Sequence, residues 1–454
     1  MKGKRTLALT LGLLMLTSLL AACAPGSTID GESGSSAASE TSSSAGEPAG
    51  DKEELVLWNR DFEQWNLDFY TQRVEEYNQL GRECTIKQES VADAVWNERM
   101  TAAQASGTAP DMYIISFSLL YSHVKDGMIQ PLDGLIPQEG IDDLLPNIKD
   151  MVTIDGKVYA YPQLVEPSTI LFYRKDLFEQ ANIAQAPKTW DELVETAKAL
   201  TTDEIFGLGL PSFNEEMNWA SWGWQIAASG HLALNDNWDA PVIDQGYKDL
   251  ALFYKRLYDE KVVPEQPLSG YTDITAFAEG NLAMTLSGSW TIAQLYNDYP
   301  EMIEKVGVAV SPTKDGNQDV TTATNGGWTY VIDANCKNAK GAADYISWLL
   351  AGDPEICGEF FEIAHFSKSP PRTSVQAWVE ERAGDNDWSE VVNKVAANAV
   401  PEPQYPWDLS GAVALMFEEV SLGGVDVDTA AANCEAAITE IIENEGLAGN
   451  NPNK

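Results

Sequence analysis

Thr329-Tyr330-Val331-Ile332 is a run of β-branched and aromatic residues, and Ala339, Ala342, Ala343, Ile346, Leu349 and Leu350 follow it at helical spacing. The first pattern predicts a buried strand, and the second a helix with one apolar stripe. The same succession recurs toward the N-terminus. Leu55-Val56-Leu57-Trp58 reads as a strand before a helical pattern over 67–80, and Met112-Tyr113-Ile114-Ile115 reads as a second strand after the turn signal at 106–111. Thr189-Trp190-Asp191-Glu192 fits a capping box, after which Leu193, Ala197 and Leu200 continue at helical spacing. Strand and helix alternate along the chain, which argues for α/β bodies with largely parallel sheets.

The chain has 454 residues and is 44% hydrophobic, enough for two or three packed domains rather than a disordered chain or a small disulfide scaffold. Its formal net charge is -40, so phosphate backbones are repelled and nucleic acid is excluded as a partner. The leading residues differ in character. Lys2, Lys4 and Arg5 precede an apolar run over 7–20, and Leu20-Ala21-Ala22-Cys23 follows. This is a secretory signal pattern too short to span a bilayer comfortably. Its ending resembles the bacterial lipoprotein signal, in which the cysteine is lipidated; an ordinary secretory signal with an incidental cysteine is the alternative. The expected organisation is a signal over 1–22 and, over 23–51, a lipidated Cys23 with a flexible Ser/Gly/Ala linker. Cys84, Cys336, Cys357 and Cys434 form no C-x-x-C pair and the three histidines are scattered, so no metal site is expected. Buried free thiols are the default, with a Cys336–Cys357 bridge as the option.

Several motifs then occur in a fixed order. Gly107-Thr108-Ala109-Pro110-Asp111 leads into a strand. Asp155-Gly156-Lys157-Val158-Tyr159-Ala160-Tyr161-Pro162 precedes Phe172-Tyr173-Arg174-Lys175-Asp176-Leu177-Phe178. Pro187-Lys188-Thr189-Trp190-Asp191-Glu192-Leu193 comes next, and Ala276-Phe277-Ala278-Glu279-Gly280-Asn281-Leu282-Ala283-Met284 leads to Gly288-Ser289-Trp290. In this order they resemble the family 1 extracellular solute-binding proteins of ABC importers, the group containing the maltodextrin-binding protein, over residues 55–440. The resemblance implies a two-lobed periplasmic-binding-protein fold of type II. Its three hinge crossings would lie at 165–168, 325–330 and 366–372. Lobe one would comprise 52–165 and 329–366, and lobe two 166–328 and 367–447. It further implies a carbohydrate ligand in the interlobe cleft, permease subunits of an importer as partners, no cofactor and a monomeric protein. With Cys23 lipidated, the protein would be anchored on the extracellular face of a bacterial cell membrane.

Sugar recognition needs aromatic rings for the C–H face of a pyranose and polar side chains for its hydroxyls. Ligands of open α/β sheets lie beyond the carboxyl ends of strands. The segment Asn59-Arg60-Asp61-Phe62-Glu63-Gln64-Trp65 qualifies, with Asn59, Asp61 and Trp65 as candidates; a solvated helix start is the rival reading. Ser116 and Ser118 follow the second strand where the maltodextrin-binding protein has a carboxylate, a departure that argues against maltose. Glu166 matches a cleft glutamate of the family, with an interlobe ion pair as its alternative. Trp290 falls where the family presents a stacking ring, or else packs in a core. Trp407 resembles a second platform, and Asp408 beside it is expected to cap the following helix. Among Trp219, Trp222 and Trp224, which cannot all face one way on a helix, Trp222 is the candidate. Gly327 would let backbone approach a ligand and Trp328 would flank it, or start a buried strand. Arg372 would bond hydroxyls, bridge lobes or pair with acids.

Two other functions fit the composition. An extracellular glycoside hydrolase would need a pair of carboxylates across a glycosidic bond, and a sensor co-receptor would share the binding fold. Alternating oxygen side chains in Asn235-Asp236-Asn237-Trp238-Asp239 lack the rest of a calcium loop and read as a solvated turn.

Overall fold

The structure, a computed structural model, describes residues 52–92, 95–213, 215–384 and 388–452. The expected signal, Cys23 and linker lie outside the described residues. Among those described, no helix is long and apolar enough to cross a membrane.

The strands are β1 Glu53–Asp61, β2 Cys84–Ala92, β3 Met112–Ser116, the short hairpin β4 Thr153–Ile154 and β5 Lys157–Val158, β6 Tyr161–Pro167, β7 Ile170–Arg174, β8 Met284–Ser287, β9 Val306–Ala309, β10 Thr324–Ile332 and β11 Val400–Pro401. The larger sheet runs β11-β10-β3-β1-β2, with β6 also paired to β10. Among the named strands, parallel pairing occurs in β2-β1-β3 and in β10 with β11, while β10 runs antiparallel to both β3 and β6. The second sheet, β8-β7-β9, is antiparallel throughout. The expected dominance of parallel pairing therefore holds only where a helix carries the chain back to the same end of the sheet, as between β1 and β2.

Each sheet organises its own core. The first is built from Leu57, Phe69, Tyr77, Ile114 and Val331 with Ile346, Phe360 and Val375. Two others flank the second sheet. One joins Trp190, Trp224, Tyr254 and Phe417, and the other joins Phe172, Phe277, Ile292 and Trp388. Ser168 and Thr169 connect β6 to β7, and β10 leads back from the second body to the first, close to where two of the crossings were expected. The third differs. Ser369 pairs with Val165, and the helix Thr373–Glu380 contributes Val375 to the first core. Residues 367–380 thus stay with the first body, and the passage to the second comes before Trp388.

Local sequence signals account for several elements. Thr189 Oγ1 accepts the Glu192 backbone N–H at 3.0 Å and Glu192 Oε2 accepts that of Thr189 at 3.1 Å, the capping box that starts the helix Trp190–Leu200. Asp408 is not the cap expected of it: Pro406 holds that position, and Asp408 lies in the first turn of the helix Trp407–Ser421. Cys84, Cys336, Cys357 and Cys434 are free thiols, so the Cys336–Cys357 option is not taken up. The Asn235–Asp239 turn closes on itself, Asn235 Oδ1 accepting the Asp239 N–H at 3.1 Å.

Arg372 explains why the 367–380 segment is held. Its Nε donates to Asp143 Oδ2 at 2.8 Å, and its other nitrogens donate to the carbonyls of Leu350 and Gly352. With 5% of its side chain exposed, it is a structural pin facing away from the cleft expected for it. Arg372→Ala leaves the Asp143 charge and two carbonyls without their partner. The expected loss of stability is about 3 kcal/mol or more, read as a lower urea midpoint.

Candidate functional site

Where β1, β3, β6 and β10 converge, the structure encloses a cavity of about 110 Å³. The carboxyl end of β1 supplies Asn59, Arg60 and Asp61, and the following turn supplies Phe62 and Glu63. Asn66 and Tyr70 come from the next helix, Ser116 from β3, and Gln163, Leu164 and Glu166 from β6. The opposite wall is made by Trp219, Tyr271, Thr272, Trp290 and Gln294 of the second body, and Gly327, Trp328, Lys368 and Glu402 complete it. The cavity therefore lies between the bodies and beyond strand ends.

Its aromatic surface is held by close backbone packing. A side chain at Gly288 would place its Cβ 1.9 Å from the Trp290 ring, so that ring lies directly over the glycine. Tyr271 meets Trp290 edge-on at 5.3 Å and its hydroxyl donates to the Ser168 carbonyl. Trp328 packs on Phe62 at 4.7 Å and edge-on to Trp219 at 6.2 Å, with the Arg60 guanidinium 5.0 Å from its ring centre. The register of β10 against β6 shifts between Trp328 and Thr329, an irregularity of the kind that re-aims a side chain.

The polar wall is densely charged. Glu166 and Lys368 form an ion pair with side chains only 6% and 5% exposed. Gln294 Nε2 donates to Glu63 Oε1 at 2.9 Å and to the Thr272 carbonyl at 2.7 Å, reaching across from the second body to the first. Burial pushes the Glu63 carboxyl up to about 7, against the opposing pull of Lys368 and of the Gln294 bond. Burial, reinforced by the neighbouring Glu166 charge, pushes Glu402 up to about 8, although the Ser118 backbone N–H bonds its carboxylate. Gly326 makes room for that carboxylate, since a Cβ there would come 1.7 Å from Oε1. Glu402 also borders a second groove of about 800 Å³, lined by Met151, Trp238 and Tyr405 among others.

Five polar atoms of the cavity's residues are buried without a protein partner: the indole nitrogens of Trp219 and Trp290, Gln163 Oε1, Gln294 Oε1 and Glu402 Oε2. An unmade buried hydrogen bond costs about 1–3 kcal/mol, so two donors and three acceptors around one space describe a site shaped for a ligand that both donates and accepts.

Of the residues expected from sequence, Asn59, Asp61, Ser116, Glu166, Trp290, Gly327 and Trp328 line this cavity. Five others do not. Trp65, on the helix Gln64–Gln79, turns into the first core against Phe360 at 5.8 Å, while Asn66 and Tyr70 face the cavity. Ser118 bonds Ser116 through its hydroxyl at 2.7 Å and stands behind Glu402. Trp222 is 1% exposed and donates to Ser410 Oγ at 3.0 Å. Trp407 packs behind Trp219 at 5.4 Å, one ring back from the cavity. Arg372 is the pin described above. Gly327 has a structural role too: at φ 140°, its missing Cβ would lie 2.2 Å from the Leu164 carbonyl, so glycine lets β10 lie against β6. Sequence reasoning missed Asn66, Tyr70 and Gln163 of the first body, Trp219, Tyr271, Thr272 and Gln294 of the second, and Lys368 and Glu402. Only the tryptophan cluster offered a signal, and it pointed to the neighbouring ring.

A family model described as bacterial extracellular solute-binding protein matches residues 66–352. A Brucella abortus protein named as a binding protein is 26% identical over 283 residues, covering 59% of this chain and 65% of that protein. The mannitol-binding protein of Pseudomonas aeruginosa is 25% identical over 49% of this chain and 52% of its own length. The chain thus spans less than two-thirds of the curated relatives it matches. Among solved structures, a solute-binding protein of an ABC transporter from Thermotoga lettingae, bound to α-D-tagatose, superposes with a TM-score of 0.74 at 21% identity, covering 86% of this chain and all of that one. One from Agrobacterium vitis with bound D-mannitol gives 0.67 at 22% identity over 87% and 99%. The arrangement of two bodies is thus the two-lobed periplasmic-binding-protein fold.

The raised carboxyl of Glu402 makes stability pH-dependent. An acid raised in the folded state holds its proton where the unfolded chain has released it, so its stabilising share is complete below about 4.5 and declines as pH rises toward 8. Glu402→Gln removes that decline. Relative to the wild type it should be more stable at pH 8 than at pH 5, by urea midpoints at both values; parallel pH profiles for the two proteins would refute the assignment.

Proposed function

Because the chain belongs to the family of bacterial extracellular solute-binding proteins, we propose that it captures a small carbohydrate or polyol between its lobes and delivers it to an ABC importer. The observation that carries this reading is the pairing of aromatic faces with unpartnered donors and acceptors around one interlobe space. Trp290, Trp328 and Trp219 offer flat surfaces for C–H groups, while Gln163, Gln294, Glu402 and the indole N–H groups await hydroxyls. A polyol supplies both donors and acceptors. A purely apolar ligand would leave these groups unsatisfied.

The family and its structural neighbours are binding proteins of transporters, not enzymes, which sets the glycoside hydrolase reading aside. Capture works through closure. Groups of both lobes line the cavity, so a ligand that contacts both binds the closed arrangement better and shifts the population toward it. The permease would recognise that closed form. In this reading Cys23 carries the lipid, residues 23–51 are the tether, and a single copy of the chain operates at the extracellular face of the membrane.

Titration calorimetry against hexoses, hexitols, hexosamines and maltodextrins tests the proposal, with tryptophan emission followed in parallel. At least one compound is expected to release or absorb heat and to change the emission; silence across the panel would overturn the carbohydrate reading. For the compound that binds, Trp290→Ala is expected to weaken affinity several-fold, on the order of 1 kcal/mol or more. Unchanged affinity would remove Trp290 from the site.

A further inference from the structure

We propose that the ligand of this cavity carries a protonated amine on its polyhydroxylated frame, held against the Glu402 carboxylate beside Glu166. The proposal rests on the carbohydrate reading and narrows it to an amino sugar or amino polyol.

The charge balance of the wall points this way. Four carboxyl groups, Asp61, Glu63, Glu166 and Glu402, face two cations, Arg60 and Lys368, and burial holds the surplus as protons on Glu63 and Glu402. Lys368 is engaged by Glu166, and the Arg60 guanidinium lies over the rings of Trp328, Phe62 and Trp96. No salt bridge reaches Glu402 among the described residues, although the residue is 8% exposed and its Oε2 has no hydrogen-bond partner. Among the groups close to it are the Ser118 N–H, the side-chain-free backbone of Gly326, the Tyr271 phenol and the Glu166 carboxylate, and none of these brings a positive charge of its own.

A glutamine at 402 could accept a sugar hydroxyl equally well. What a carboxylate adds is charge, and a buried charge is costly until it is neutralised. A hydroxyl would bond Oε2 and leave the carboxyl protonated and uncharged, as burial keeps it at neutral pH, so the acid would add nothing over an amide. An ammonium supplies donors and counter-charge together, and such charge-assisted bonds are roughly twice as strong as neutral ones. The indole faces of the cavity also favour carbon–hydrogen groups next to a cation. In the empty protein burial keeps the Glu402 proton on at neutral pH, so binding an ammonium there displaces it: the amine keeps its proton and the carboxyl releases one to the buffer.

Matched pairs of ligands separate charge from size. Calorimetry on the full folded protein at pH 7 compares D-glucosamine with D-glucose and N-acetyl-D-glucosamine, and D-glucamine with D-sorbitol. The amine of at least one pair is expected to bind roughly tenfold tighter than its neutral partners, with an enthalpy that differs between phosphate and Tris because a proton is released. In Glu402→Gln that preference should fall toward one and the buffer dependence should vanish. Neutral partners binding as tightly as the amines, or an amine preference that survives in Glu402→Gln, would overturn this proposal while leaving the carbohydrate reading in place. If neutral and amino compounds alike fail to bind, the carbohydrate reading falls and takes this one with it.

Discussion

The Glu166–Lys368 ion pair fastens two of the segments that meet between the lobes. Glu166 lies on β6, which pairs with β10, and Lys368 lies one residue before the Ser369 bridge to Val165. Both partners are buried. An isolated charge there would be very costly, and each is tolerable only because the other is present. Residues 367–369 are thereby held against β6, and Arg372 a few positions on is anchored on the first body. The floor of the cavity is thus set by backbone pairing and one salt bridge rather than by loops free to move independently.

Around that floor the cavity combines aromatic faces with polar groups. Aromatic rings of both lobes surround it, with their positions set by glycines that permit close approach: Gly288 under Trp290, and Gly327 against Leu164. Between them stand buried carboxyls whose protons are held by burial, Glu63 and Glu402. The Gln294–Glu63 bond is also a contact between lobes, so a group that lines the cavity also helps join its two sides. In the proposed function such shared groups would couple ligand binding to lobe closure, since separating the lobes removes part of the wall.

Much of the architecture was legible in the residues themselves. The runs at 55–58, 112–115 and 329–332 are short stretches rich in apolar, β-branched and aromatic residues, and all three are strands. Thr189 and Glu192 form their capping box because such a motif needs only residues three apart. The cavity was partly legible, because Asn59, Asp61, Ser116 and Trp328 adjoin strands that declare themselves locally. Trp222 illustrates the limit. It lies three residues from Trp219, and the break between the helices Glu215–Ala220 and Trp222–Ser229 decides which ring meets the cavity. Nothing in the spacing of three tryptophans encodes that break.

Neighbours along the chain fix the alternation of strand and helix, the family motifs, the anionic surface and the glycine positions. The partners of each side chain come from contacts made on folding. Glu402 lies more than two hundred residues from Glu166, and its surroundings exist only once β11 pairs with β10 and Gly326 yields space. Arg372 and Lys368, four positions apart, are respectively a structural pin and a cavity residue. A side chain's charge is written in the sequence, but its solvation and its counter-charge belong to the folded arrangement, and those two quantities give these carboxylates and cations their different roles.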